Sequence, residues 1–271
     1  MAVVGLGVMG GSLVRALAAR GDVEVSGWSP EVEERRAAAS LLARAPEALE
    51  DVWEGADLVV LATPLEAILE LLPHASAGAP EAVLTDVASL RAPVEATVRR
   101  LGIGSRHVGS HPMAGSEASG FAAASDDLYQ DAPVWVVEEH ALEGPRQDVR
   151  ALWTSVGARP RRISSEAHDA LMARVSHLPQ LASTALAAAL EEAGVDPSAL
   201  GPGGRDMTRL AESSPAMWRD LLRHAPEDLP ELLRRFARQV EGLADEVASG
   251  RADRIADRMA ATRRWRRKES S

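Results

Sequence analysis

The stretch Ala2-Val3-Val4-Gly5-Leu6-Gly7-Val8-Met9-Gly10 decides the fold of this chain. A short apolar run predicts a β-strand, three glycines follow it at the spacing G-x-G-x-x-G, and an amphipathic stretch over residues 9–19 predicts a helix. The glycines permit a tight turn and close approach of a ligand to the backbone, and the unpaired N–H groups of a helix amino terminus attract a pyrophosphate. The motif therefore predicts a dinucleotide site formed by Gly5, Gly7, Val8, Met9 and Gly10.

The first 165 residues alternate short β-like runs with amphipathic stretches, which is typical of βαβ units around a parallel sheet. We therefore expect residues 1–165 to form an α/β Rossmann domain, doubly wound and mainly parallel, with ligands at the carboxyl ends of its strands. The predicted strands cover residues 2–5, 23–28, 58–62, 82–87, 107–110, 133–137 and 159–163.

After Ser165 the strand signals stop, and apolar residues recur at helical spacing. Glycine and proline interrupt this pattern at residues 194–204, 213–215 and 226–230. We expect residues 166–271 to form an all-α domain. Because a small, alanine-rich helical domain covers little apolar area alone, this domain favours a homodimer.

Two positions beyond the glycines bear on the dinucleotide. Thr63-Pro64 ends a predicted strand and is expected to face the same cleft. Ser29 follows Gly10 by 19 residues, where an acidic side chain would bind the ribose 2′-hydroxyl of NAD. A hydroxyl there lacks the charge that repels a 2′-phosphate, yet Arg35 and Arg36 lie about one helical turn too far along. We expect NADP or NAD, with NADP slightly favoured.

Composition excludes several classes of function. The formal net charge of -10 and the aromatic content of 3% exclude nucleic acid as the expected partner. Because the chain has no cysteine, disulfides and thiolate sites are excluded, and its 7 histidines lack the paired spacing of a metal site. No signal peptide and no membrane-spanning run is recognised, so the expected location is cytoplasmic, without a membrane partner.

Four segments concentrate polar residues where a doubly wound fold places its cleft or in the helical region. Together they resemble the prephenate and arogenate dehydrogenases of tyrosine biosynthesis, in the same order and over nearly the whole chain. The segments are Asp86-Val87-Ala88-Ser89, His111-Pro112-Met113-Ala114-Gly115-Ser116-Glu117, Ser176-His177-Leu178-Pro179-Gln180 and Gly203-Gly204-Arg205-Asp206-Met207-Thr208-Arg209-Leu210-Ala211.

The resemblance implies an oxidative decarboxylation, in which hydride leaves C4 of the substrate ring for the nicotinamide while the ring carboxylate departs as carbon dioxide. It also implies two catalytic residues. His111 accepts a hydrogen bond from the substrate hydroxyl, which suits a neutral imidazole. Ser89 bridges that hydroxyl, the histidine and the nicotinamide.

The same resemblance implies the residues that bind substrate. Arg209 anchors a substrate carboxylate, Arg205 is a second cationic group, and Asp206 orients one of the two arginines. His177 lines the substrate pocket, and Glu117 gates its entrance or pairs with an arginine.

Alternatives stay open at this point. β-Hydroxyacid and 6-phosphogluconate dehydrogenases share the layout but use a lysine of the helical domain, whereas the only lysine here is Lys268 near the carboxyl terminus. A non-catalytic NAD(P) sensor would share the fold, although Ser89, His111 and Arg209 favour an enzyme. No residue is identified that distinguishes the keto side chain of prephenate from the amino side chain of arogenate. We therefore expect a prephenate dehydrogenase, with arogenate dehydrogenase as the alternative.

Overall fold

The computed structural model describes residues 1–115 and 119–267. Among them are seven strands: β1 (Ala2–Val4), β2 (Ser26–Trp28), β3 (Leu58–Leu61), β4 (Val83–Asp86), β5 (His107–Pro112), β6 (Pro133–Val137) and β7 (Arg159–Arg162). They form one sheet in the order β2-β1-β3-β4-β5-β6-β7, and every neighbouring pair is parallel except β5 and β6. The predicted doubly wound α/β fold is confirmed.

Helices connect the strands and form most of the remaining chain. The helices are α1 (Val8–Arg20), α2 (Val32–Ala38), α3 (Leu65–Gly78), α4 (Ala92–Leu101), α5 (Glu143–Ser155), α6 (Ser165–Met172), α7 (Leu178–Glu192), α8 (Pro202–Thr208), α9 (Pro215–Arg223), α10 (Leu229–Ala248) and α11 (Ala252–Arg266). Residues Ala173–His177, between α6 and α7, form a π-helical turn.

Both faces of the central strands β1, β3 and β4 are buried, as expected for parallel strands covered by helices. Successive side chains of a strand point to opposite faces. Val3 and Val60 accordingly belong to one apolar cluster, whereas Val4, Val59 and Leu61 belong to the other. Because their side chains enter both clusters, β1 and β3 are uniformly apolar. The carboxyl ends of β1 to β5 lie side by side at one end of the sheet.

β5 is two residues longer than the sequence predicts and includes His111. This residue lies opposite Trp135 of β6, and Pro112 lies opposite Val134. The antiparallel pairing with β6 therefore extends β5 past Ser110. As a result His111 is held by a strand ladder instead of a loop.

The chain divides into two compact units. The first comprises Met1–Met172 and Glu212–Ala225, and the second comprises Ala173–Ala211 and the segment from Pro226 onward. Strand signals in the sequence end near Ser165, whereas the first unit continues through α6 and includes α9, because Leu221 of α9 is buried in the first unit's core. Within the described ranges, no helix combines the length and apolar character needed to cross a bilayer.

Candidate active site

The turn between β1 and α1 requires its glycines. Gly5 has φ +93°, and a Cβ there would lie 2.5 Å from the carbonyl oxygen of Ala62. A Cβ on Gly10 would lie 1.8 Å from the carbonyl oxygen of Gly5, so neither position admits another residue without movement of the backbone. Gly7 precedes α1, and no side chain caps the helix there. The first N–H groups of α1, including those of Val8 and Met9, therefore fit a pyrophosphate.

Thr63 lies beside the same turn, directly after β3. Its Cγ2 is 2.8 Å from the ideal Cβ position of Gly5, and its Oγ1 is buried. Within the described ranges no group hydrogen-bonds this oxygen. The structure thus places Thr63, followed by the exposed Pro64, at the glycine turn, with a buried hydroxyl that a ligand can satisfy.

Ser29 follows β2 and is buried. Its Oγ donates to Oε2 of Glu34 on α2 at 2.6 Å. Sequence reasoning missed Glu34, because this residue lies 24 positions after Gly10, beyond the usual spacing of about 20. The carboxylate that was absent at position 29 is therefore supplied from the following helix.

A buried ion pair fixes the loop that carries Ser89. Arg91 donates to Asp86 Oδ1 at 2.5 Å and Oδ2 at 2.9 Å, and both side chains are completely buried. Asp86 also accepts the backbone N–H of Ala88 at 2.8 Å and faces Nε2 of His107 at 3.1 Å. Burial alone would raise the pKa of Asp86, but the Arg91 charge and these hydrogen bonds hold it well below its ordinary value. The half-buried Ser89 thus lies in a loop that is fixed by this buried ion pair.

Arg91 also joins that loop to β5. Its guanidinium donates to the carbonyl oxygen of Ser110 at 3.2 Å, directly before His111. Gly109 makes room for it, since a Cβ there would lie 2.0 Å from Nη2 of Arg91. Ser89 and His111 are therefore positioned by one buried side chain that the sequence analysis did not single out.

His111 is the first member of a hydrogen-bonded chain of three side chains. Its Nδ1 lies 2.8 Å from Nε2 of His168 on α6, and Nδ1 of His168 lies 2.8 Å from Oδ1 of Asp169. Asp169 in turn accepts the backbone N–H groups of Arg91 and Ala92, each at 2.8 Å. Burial raises the pKa of Asp169, but the hydrogen bonds from His168 and from these two amides outweigh it and lower the pKa.

The proton positions along this chain follow from Asp169. An ionised carboxylate only accepts, so Nδ1 of His168 carries a proton and donates it. With both rings neutral, Nε2 of His168 is then an acceptor, and Nδ1 of His111 donates to it. Nε2 of His111 consequently keeps a lone pair, and no group within residues 1–115 or 119–267 hydrogen-bonds it.

His111 is also kept neutral by its surroundings. Burial lowers its pKa, and the nearby His168 and Arg91 lower it further, to about 3. The carboxylates of Asp86 and Asp169 act in the opposite direction but are outweighed. The site can therefore present an unprotonated imidazole nitrogen to a hydroxyl at any pH near neutrality.

The remaining predicted residues, apart from Glu117, belong to the second unit. His177 is buried at the end of the π-helical turn, a local geometry that is frequent at functional sites. Arg205 and Asp206 lie exposed on α8, and exposed Arg209 begins the next turn, so the two arginines share a helical face. The guanidinium of Arg205 donates to the carbonyl of Leu200. Glu117 lies outside the described residues.

The sequence analysis also missed His168 and Asp169. The two residues are adjacent within the region expected to be helical, and nothing in the sequence connects them with His111 across 57 residues. Within the described ranges, no group of three or more His, Cys, Asp or Glu side chains could hold a metal ion.

Comparison with known families agrees with this geometry. The sequence model of the prephenate dehydrogenase nucleotide-binding domain matches residues 13–161, and that of the prephenate dehydrogenase dimerization domain matches residues 164–261. The chain belongs to the prephenate dehydrogenase family. The resemblance inferred from the four polar segments is confirmed, and prephenate dehydrogenases are oxidoreductases that use a nicotinamide cofactor.

Individual relatives cover most of the chain. The cyclohexadienyl dehydrogenase of Zymomonas mobilis is 32% identical over 93% of this chain and 90% of its own length. The prephenate dehydrogenase of Bacillus subtilis is 32% identical over 93% of this chain and 71% of its own. The Aquifex aeolicus prephenate dehydrogenase in complex with hydroxyphenyl propionate and NAD+ is 27% identical, with a TM-score of 0.88 over 98% of this chain and 96% of that one. Members of the family thus share both halves of this chain.

Proposed function

We propose that this protein catalyses the oxidative decarboxylation of prephenate to 4-hydroxyphenylpyruvate, as a step of tyrosine biosynthesis. The observation that carries the proposal is the chain from Asp169 through His168 to His111, which leaves Nε2 of His111 as a hydrogen-bond acceptor. The names of the matching relatives agree with this reaction.

The stoichiometry of the reaction explains why His111 needs to act only as a hydrogen-bond acceptor. The C4–H bond of the substrate ring breaks with its electron pair, the bond between the ring and its carboxylate breaks to release carbon dioxide, and the ring becomes aromatic. An oxidised nicotinamide, when bound, would supply the acceptor for this hydride. Since the product keeps the C4 hydroxyl, no net proton leaves the substrate. His111 therefore needs only to accept a hydrogen bond from that hydroxyl as positive charge develops on C4, and Ser89 supports the same oxygen.

The substrate carboxylates are bound by residues of the second unit. Arg209, with Arg205 on the same helical face, supplies guanidinium donors suited to a carboxylate. Asp206 orients one of these arginines, and His177 lines the pocket. Glu117 gates the entrance or pairs with an arginine. These roles rest on the match between this chain's segments and the family pattern.

The residues of the first unit fit a nicotinamide dinucleotide. The turn with Gly5, Gly7 and Gly10 leaves the amino terminus of α1 open to a pyrophosphate, and the buried Thr63 hydroxyl is available beside it. Ser29 by itself slightly favours NADP over NAD. The choice depends on which charged groups surround Ser29.

We also propose a cytoplasmic homodimer formed through the helical domain. Phe236, Val240, Leu243 and Val247 form one apolar stripe along α10 and are between 39% and 68% exposed. Exposed apolar stripes of this kind are typical of interfaces, and the matching family model describes a dimerization domain. A monomer in sedimentation at micromolar concentration would contradict this part of the proposal.

The direct test is the initial rate of nicotinamide reduction with prephenate or arogenate, each paired with NAD or NADP. We expect turnover with prephenate. Turnover with arogenate but not with prephenate would show that arogenate is the substrate. Folded protein that turns over neither substrate with either cofactor would refute the enzymatic function and leave a nicotinamide-binding sensor as the remaining interpretation.

A further inference from the structure

We propose that Glu34 binds the ribose 2′-hydroxyl of the dinucleotide and thereby makes this protein selective for NAD over NADP. The inference rests on the proposed binding of a nicotinamide dinucleotide at the glycine turn. It reverses the slight preference for NADP that Ser29 alone suggested, because the structure adds a carboxylate to that position from α2.

The position of the Glu34 carboxylate supports this role. Oε2 accepts the hydrogen bond from Ser29 at 2.6 Å, so one oxygen is tied to the carboxyl end of β2. Oε1 lies 3.7 Å from the ideal Cβ position of Gly7 and the same distance from that of Gly120. Neither glycine fills this space with a side chain, so the second carboxylate oxygen borders the turn that is expected to bind the pyrophosphate.

Oε1 is available to a ligand. In the part of the chain that the structure describes, no donor reaches this oxygen, although the side chain is half-buried. A ribose bound next to the pyrophosphate would present vicinal hydroxyls, and a carboxylate is the usual acceptor for the 2′-hydroxyl in folds of this type. Glu34 thus supplies from α2 the carboxylate that most proteins with this fold carry at the end of the second strand.

The neighbouring cations do not form a site for a 2′-phosphate. Arg35 donates to the carbonyl oxygens of Ser29 and Pro30, and its guanidinium lies 6.0 Å from the centre of the Trp28 ring. Arg36 pairs with Glu33 at 2.8 Å on the exposed side of α2. The group that faces the glycine turn is therefore an anion, which would repel the phosphate that distinguishes NADP from NAD.

The test is a comparison of binding constants, measured by fluorescence titration with NADH and with NADPH, without substrate. We expect the wild-type protein to bind NADH at least about tenfold more tightly than NADPH, which corresponds to about 1.4 kcal/mol. Glu34→Gln should weaken NADH binding and strengthen NADPH binding, so that most of the selectivity is lost. Glu33→Gln is the matched control, because it removes a carboxylate one residue away that is 84% exposed and paired with Arg36.

Adenosine fragments make the test sharper. Adenosine 5′-monophosphate should compete with NADH better than adenosine 2′,5′-bisphosphate in the wild-type protein, and Glu34→Gln should remove this difference. Selectivity for NADPH in the wild type, equal effects of the Glu33 and Glu34 substitutions, or an unchanged NADH-to-NADPH ratio in Glu34→Gln would each overturn the role of Glu34. If neither dinucleotide bound the folded wild-type protein, the dinucleotide site itself would be refuted together with this inference.

Discussion

Two groups of residues at the carboxyl ends of strands in the same sheet are held in different ways. The histidine cluster, defined as Asp86, Arg91, His111, His168 and Asp169, is linked by buried charges and successive hydrogen bonds. The serine-glutamate pair, Ser29 and Glu34, is linked by one hydrogen bond between a strand end and a half-buried helix residue.

Substitutions in the two groups should therefore have different effects on the protein. In the histidine cluster, loss of one group leaves a partner buried and unsatisfied, so stability and chemistry should change together. In the serine-glutamate pair, Glu34 is only half-buried and is joined by a single hydrogen bond, so its substitution should change selectivity much more than stability. The following experiments test this contrast.

The largest effect is expected for His111→Asn. This substitution removes the nitrogen lone pair proposed to accept the substrate hydroxyl, and kcat should fall by about 10²–10⁴-fold, while NADH binding stays within about twofold. Steady-state kinetics and fluorescence titration measure the two quantities. His74→Asn is the control, since His74 is exposed on α3, and it should keep the wild-type kcat. A His111→Asn variant with kcat close to that of the wild type would contradict the proposed role of His111.

Arg91→Met should produce the largest loss of stability. It leaves Asp86 buried without its guanidinium partner, which costs about 3–5 kcal/mol in the free energy of unfolding. Urea unfolding measures this cost. The control Arg36→Met breaks an exposed pair worth about 0–1 kcal/mol.

A double variant keeps this test informative if Arg91→Met alone does not fold. Asp86→Leu with Arg91→Met removes both buried charges and should recover part of the lost stability. An Arg91→Met protein as stable as the Arg36→Met control would show that the buried pair does not hold the Ser89 loop.

A smaller effect is expected for His168→Phe. Without the acceptor for its Nδ1 proton, His111 is free to exchange tautomers. The rate constant kcat should then fall about 10–100-fold, by analogy with the outer hydrogen-bond partners of metal-binding histidines. His168 also lowers the pKa of His111, so the acid limb of the kcat profile should move to higher pH in the variant. His168→Gln, which can still accept from His111, should restore part of the rate. Equal losses in both variants, with an unmoved pH profile, would indicate a packing role only.

The smallest effect concerns the pH dependence of the wild-type protein. Because the pKa of His111 is lowered from 6.5 to about 3, kcat should not decline as the pH falls through 6.5. A half-maximal kcat near pH 6.5 would contradict a neutral, shielded His111.

The lowered pKa of His111 also predicts that the stability of the protein depends on pH. Below pH 6.5 the unfolded chain binds a proton at His111 that the folded protein does not bind, so this residue makes the free energy of unfolding fall as the pH decreases from 6.5 towards 3. His111→Asn should remove this contribution, which urea unfolding at several pH values would detect.

Much of the fold could be predicted because its signals are local. Alternating apolar runs and helical periodicity are properties of neighbouring residues, and so is the glycine spacing that the turn after β1 requires. The seven predicted strands accordingly correspond to the seven observed ones, and His111 was identified from the segment around it. The differences lie at the ends of elements, such as β5, whose pairing with β6 is not visible in its own residues.

The sequence by itself determined the fold class, the dinucleotide turn and the family to which the chain belongs. Only the tertiary structure decided which groups complete these sites: His168 and Asp169 behind His111, Arg91 beneath Ser89, and Glu34 beside Ser29. The physical reason is that hydrogen bonds and ion pairs depend on distance in space. Residues separated by up to 78 positions, such as Arg91 and Asp169, meet only after the helices have packed on the sheet.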